Sequence, residues 1–177
     1  MKSYDAVMAY VGHTIPQFND AKLTKVAQQL IGYVVQTLPT DWLAHELPSE
    51  QPHYQALAKL IADNDWQDAA INAELLALDD IMWAMGDAYP HNTGDYPLQL
   101  MVLLDYYLQL DKTDNITASD ENVSTMIMLI DEYLGFYEKL VEQQSGTPIN
   151  IDHWLTYPEI GKAFDRLQTI IEQTESN

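Results

Sequence analysis

Cysteine is absent from the 177 residues, which removes disulfides, thiolate nucleophiles and cysteine-ligated zinc or iron–sulfur centres together. Arginine occurs once, as Arg166, against seven lysines. With so little positive charge the chain has nothing to neutralise a phosphate backbone, so direct nucleic-acid binding is not expected. Anionic membrane surfaces are repelled on the same ground. Every apolar run falls short of the roughly 18 residues that a membrane span needs. Residues 1–16 set Asp5 and His13 around a short apolar stretch, unlike the continuous apolar stretch and small-residue cleavage site of a secretory signal. A soluble, cytoplasmic protein is the expectation.

Catalytic signatures are scarce as well. No Gly-x-Ser-x-Gly elbow and no glycine-rich phosphate loop occurs. His13, His45, His53, His91 and His153 stand apart, with no His-x-x-x-His pair, so a zinc hydrolase is not expected. Glu50-Gln-Pro-His53 has the Glu-x-x-His spacing of di-iron bundles. It lacks a second copy, and Pro52 puts it at a helix start, so coincidence explains it better.

What the chain does carry is acid, unevenly spread. Its formal net charge is −19. Residues 60–138 hold sixteen Asp and Glu against Lys112 alone, a local charge of −15. That stretch also contains the most apolar segments. A hydrophobic fraction of 47% is ample for a core at this length. Surface scaling gives about 8,800 Å² folded against roughly 29,000 Å² unfolded, so roughly 70% of the surface is hidden without help from a metal or disulfide.

The periodicity is helical throughout and predicts an all-α, single-domain antiparallel helical bundle of about six main helices. These run over residues 19–38, 50–62, 65–86, 97–110, 119–144 and from Pro158 onward, with a short helix over 4–11 before them. Asn19 or Asp20, Asn64 or Asp65, and Ser119 are the expected N-caps. Pro39, Gly86, Gly146 and Pro148 are the breaks. Asp41-Trp-Leu and Asp152-His-Trp-Leu hint at a repeat too short to define a solenoid.

Placed on helices, the acids fall into groups with different chemistry. On 65–86, Ile71, Leu75, Leu78, Met82 and Met85 form one apolar face and Ala69, Ala73, Leu76, Ala77 and Ala84 a second, which marks a central helix. Asp80 falls among the alanines, with Asp87 seven residues on. On 97–110, Asp105 and Gln109 make a thin polar line. An isolated buried carboxylate costs several kcal/mol, about enough to force its protonation, unless it meets a donor or a cation. Asp80, Asp87 and Asp105, with Asp95 as a further loop acid, are therefore candidate ligands for Mg²⁺, Mn²⁺ or Ca²⁺, and a divalent-metal-dependent hydrolase follows from that arrangement. The plainer reading, favoured by the missing third acid and cationic clamp, bonds Asp80 to a neighbouring helix and leaves Asp105 in water.

Two surfaces suit a partner. Residues 87–96 hold Tyr89, His91, Asn92, Asp95 and Tyr96, aromatics and polar groups fit for a pocket or an interface anchor. On 119–144 the residues Asp131, Glu138 and Glu142 line up with Ser124 and Gly135 as an acidic strip opposite the core face, fit to dock a basic protein. The plainer reading of each is a covered bundle end and a solvated face. The leading expectation is a non-enzymatic acidic interaction module without a cofactor, such as an inhibitor or immunity-type binder of a basic partner. A metal-dependent hydrolase is the first alternative. A scaffold or homo-oligomer built through eleven Tyr and four Trp is the second.

Overall fold

Three short polar side chains start three of the helices. Ser3 Oγ accepts from Ala6 N at 3.4 Å, Asn19 Oδ1 from Lys22 N at 2.9 Å, and Ser119 Oγ from Asn122 N at 3.1 Å, each satisfying one of the amides a helix start leaves free. In a computed structural model, which describes residues 2–39, 41–86, 96–113 and 115–176 with the His45 side chain excepted, the helices are α1 (Tyr4–Thr14), α2 (Asp20–Thr37), α3 (Gln51–Ala62), α4 (Asp68–Met85), α5 (Tyr96–Gln109), α6 (Asp120–Ser145) and α7 (Pro158–Glu175). No strand occurs among the described residues. The all-α bundle expected from periodicity is the fold.

Helix ends follow backbone chemistry. α2 stops at Thr37 because Leu38, ahead of Pro39, is held extended at ψ 139°. α6 stops at Gly146, whose φ of +67° is the left-handed conformation glycine adopts without strain. The start of α4 differs from the expectation. Asn64 caps no helix start; it sits at φ +57° and closes α3, with Asn64 N donating to Ile61 O at 3.1 Å and Asp65 N to Leu60 O at 2.8 Å. That pair of bonds is a Schellman closure, in which asparagine can replace glycine. α4 consequently begins three residues late, at Asp68.

The two tryptophan stretches both form 3-10 turns, although His153, at φ −120° and ψ 25°, interrupts the second. Trp42–His45 and Ile151–Thr156 are 3-10 turns ahead of proline-led helices. Each sets a tryptophan edge-on to a tyrosine, Trp42 to Tyr54 with centroids 6.0 Å apart and Trp154 to Tyr4 at 5.3 Å.

α6, rather than α4, is the central helix. It packs on α1, α2, α5 and α7 and buries residues around much of its circumference, from Met126, Leu129 and Ile130 to Tyr133, Phe136 and Tyr137. Together with α2 it carries the core, a continuous cluster that extends from Val7 to Ile171. α4 packs on α3 and α5 at one side and buries only Ile71 and Leu78. Most of its alanine face is open: Ala69, Ala73 and Ala84 are exposed and Ala77 is half-buried. Alanine costs little in water, so a small-residue stripe read from sequence does not say whether another helix covers it. The total accessible surface, 9223 Å², agrees with the size scaling of a folded chain this long. No helix among the described residues is long and apolar enough to cross a membrane.

Candidate functional site

Asp131, Glu138 and Glu142 recur at steps of seven and four residues along α6, so they share one face. All three are half-buried, and each accepts a hydrogen bond from within the molecule. Tyr4 Oη donates to Asp131 Oδ1 at 2.7 Å, Trp154 Nε1 to Glu138 Oε2 at 2.9 Å, and Ile149 N to Glu142 Oε1 at 3.2 Å. Leu155 N donates to Lys2 O at 3.0 Å, joining the segments that carry the first two donors. Burial, followed by the bond to Asp131 and that carboxylate's charge, pushes the Tyr4 phenol up to about 12. The acidic strip read from the sequence also forms a seam that holds the start of α1 and the 151–156 turn onto α6.

An inward place for Asp80 and Asp105 required both of their helices to be central, and for Asp105 the plainer reading, a carboxylate in water, is the one the structure matches. Asp80 and Asp105 are exposed, because α4 lies at the edge of the bundle and one side of α5 faces the same open space. Asp105 Oδ2 accepts from Gln109 Nε2 at 2.8 Å, a bond within its own helix. Among the described residues no three His, Asp or Glu side chains are grouped to hold a metal ion. Asp87, Tyr89, His91, Asn92 and Asp95 lie outside the described residues. Tyr96 does not: its hydroxyl donates to Gln143 Oε1 at 2.5 Å, and its ring stands 5.5 Å from Phe136. Burial, and next the charge of Asp41, raises its phenol pKa.

Between α4 and α5 opens a cleft of about 700 Å³. Leu75, Met101, Val102 and Tyr106 supply apolar surface, Met128 of α6 reaches its edge, and Asp79 and Asp105 also line it. Leu76, which is 56% exposed, lines it too, and Trp83, one heptad further along α4, is 80% exposed. Asp79 and Asp80 fall between these two, three and four residues after Leu76, on the same side of the helix. Neither α4 nor α5 contains a basic residue. Of the acids on the two helices, Asp68 is paired with Lys112 at 2.9 Å, and Glu74 lies 2.7 Å from His53 Nδ1. No ion pair engages Asp79, Asp80 or Asp105 among the described residues. The cleft therefore joins exposed apolar side chains to carboxylates that no described basic residue pairs.

One carboxylate that the periodicity left unremarked, except as an alternative cap, is the most enclosed acid among the described residues. Asp20 is fully buried. Its two oxygens accept from Asn122 Nδ2 at 2.6 Å and Asn115 Nδ2 at 2.7 Å. Asn122 is itself fixed by the Asp111 backbone, accepting from Asp111 N and donating to Asp111 O, both at 2.8 Å. A carboxylate in the first turn of a helix also faces the positive end of the helix dipole. These contacts tie α2 to α6 and to the connector before it; the partners are amides, so no charge pattern announces them. Glu50, likewise buried, turns back to accept from Leu47 N at 3.2 Å. It and His53 therefore do separate jobs, and the Glu-x-x-His spacing is coincidental.

No family model, curated protein or solved structure matches this chain.

Proposed function

We propose that the protein is a non-enzymatic interaction module that receives a basic amphipathic helix of a partner protein in the cleft between α4 and α5. The observation that carries this reading is the coincidence of exposed Leu76 and Trp83, with Met128 of α6 at the edge, and of Asp79, Asp80 and Asp105 on α4 and α5, two helices devoid of basic residues. Exposed apolar surface bordered by polar groups is what an interface leaves open in the unbound molecule. Apolar anchors one and two turns apart on a partner helix fit such a groove, and the lysines beside them would meet the rim acids. An inhibitor that masks a cationic domain is one concrete form of such a module. A second copy of this chain is the poorer occupant, because it would bring another −19 of charge.

The test uses a designed peptide with leucines at three- and four-residue spacing and lysines elsewhere, beside a twin with glutamates in place of the lysines. Binding is read by titration calorimetry at two salt concentrations, and the free protein's mass by light scattering. The expected result is salt-sensitive binding of the lysine peptide, none of the glutamate peptide, and loss of binding in Leu76→Asp. Equal binding of both peptides, unaltered binding by Leu76→Asp, or a free protein that is already a dimer whose mass Leu76→Asp halves would overturn the reading.

A further inference from the structure

In a chain with 27 acidic residues, the one arginine ought to find a carboxylate. Arg166 finds none among the described residues. It is half-buried on α7, its guanidinium lies 5.8 Å from the Tyr33 ring centre on α2, and its Nε is enclosed without a hydrogen-bond partner. A buried donor left unpaired costs about 1–3 kcal/mol, and an arginine fork is the group best shaped to receive a planar oxyanion.

The space beside Arg166 is a cleft of about 420 Å³ between α2, the end of α3 and α7. No acid lines it. Its polar walls are Lys25, Gln28, Gln29, Gln36 and Asn64, and its aromatic ones Tyr33 and Trp66. Gln29 Oε1 is enclosed and lacks a donor, so two side chains that line the cleft each carry one enclosed, unpaired polar atom. Gly32, in the interior of α2, lines the same cleft. Glycine there costs the helix about 1 kcal/mol relative to alanine, and packing does not require it, since a Cβ would meet nothing within 4 Å. What the missing side chain does is leave the cleft open.

We infer that this cleft binds a small organic carboxylate that also carries a hydrogen-bond donor. On binding, the half-buried Arg166 and Gln29 side chains turn their enclosed polar atoms toward the cleft, so that the carboxylate takes the side-on edge of Arg166, Nε included, with Lys25 as a second, solvent-facing positive charge. The ligand's own donor answers Gln29 Oε1, and its flat body lies against Tyr33 and Trp66. A monoanion suits two cations in a molecule of net charge −19 better than a dianion such as phosphate, which the surrounding field repels more strongly.

Because arginine occurs once, the Arg166 Nε–H gives a single, self-assigned resonance in a proton–nitrogen correlation spectrum. Sodium 4-hydroxybenzoate is the probe, with sodium chloride and inorganic phosphate at matched ionic strength as controls. The expected result is a saturable shift of that resonance with the probe alone. Lys25→Gln, at an exposed position, weakens binding about fivefold, the effect of one solvent-facing charge. Gly32→Leu, which projects a side chain into the cleft beside Tyr33 and leaves every charge in place, abolishes it. An unmoved Arg166 resonance, an equal response to chloride or phosphate, or full binding by Gly32→Leu would overturn the inference.

Discussion

Trp154 is fully buried, and its indole Nε1–H is donated to Glu138 Oε2 at 2.9 Å. A tryptophan this enclosed has one polar atom to satisfy, and the only way to bury the ring without penalty is to bring an acceptor to it. α6 supplies that acceptor, and seven residues earlier Asp131 does the same for Tyr4, whose ring stands edge-on to the indole.

Glu138→Ala leaves the indole N–H unpaired and is expected to cost about 1–3 kcal/mol in urea unfolding. Glu138→Gln retains an acceptor and loses less. The near-ultraviolet dichroism of the alanine variant weakens as Trp154 loosens. If both variants unfold at the wild-type midpoint, the bond contributes nothing to stability.

The tyrosines make the fold sensitive to alkali. Tyr4 ionises at about 12 in the folded protein against about 10 when unfolded, because burial and Asp131 disfavour the phenolate. A pKa raised by folding contributes stability that is whole below pH about 10 and is lost as pH climbs through about 12. Burial raises Tyr133 and Tyr137 in the same direction. Stability is thus expected to fall steeply above pH about 10, with the phenolate absorbance of the buried tyrosines emerging together with unfolding. Tyr4→Phe costs about 0.5–1.5 kcal/mol at neutral pH and shows a shallower alkaline loss. A noncooperative titration of every tyrosine near 10 would contradict this.

Periodicity makes the helices legible because it reports which side chains share a face, and Asn19, Ser119, Pro39 and Gly146 mark ends whose chemistry is local. It does not report what lies opposite a face. α4 carries apolar residues on two sides, which reads as a central helix, yet only Ile71 and Leu78 are buried; Leu76 and Trp83 face water. Asp131, Glu138 and Glu142 were legible as a strip, but their donors Tyr4, Ile149 and Trp154 come from distant segments. Asp20 and Asn122 lie 102 positions apart and pair through an amide, so neither charge nor spacing connects them. Arg166 was visible only as a scarcity, since the residues around it come from three separate elements.

Asn122→Asp sets a second carboxylate where the amide now donates to Asp20 at 2.6 Å. Two buried like charges cannot both remain ionised cheaply, so the substitution is expected to cost roughly 3–5 kcal/mol at neutral pH, more than Asn122→Ala. Protonating the introduced carboxyl removes the repulsion and restores a donor in the amide's place, so the penalty shrinks as the solution is made mildly acidic. Urea midpoints of both variants at pH 7 and at mildly acidic pH check this. A gap between the aspartate and alanine variants that does not narrow with acid would show that Asp20 is not paired as described.

Two residues five positions apart on α4 separate stability from binding. Leu78 is fully buried, whereas Trp83 is 80% exposed. Removing the first leaves a hole in the core, so Leu78→Ala is expected to cost about 2–5 kcal/mol. Truncating the second removes surface that the fold does not use, so Trp83→Ala shifts stability by no more than about 0.5 kcal/mol. If the α4–α5 cleft receives a basic helix, the same exposed indole is the natural anchor, and losing an anchor of this kind weakens an interface by about 2 kcal/mol or more. Trp83→Ala is therefore expected to unfold like the wild type in urea while binding the lysine–leucine peptide roughly thirtyfold more weakly. A variant equal to wild type in both measurements would mark Trp83 as an incidental surface residue; a variant deficient in both would mean that the indole supports the fold.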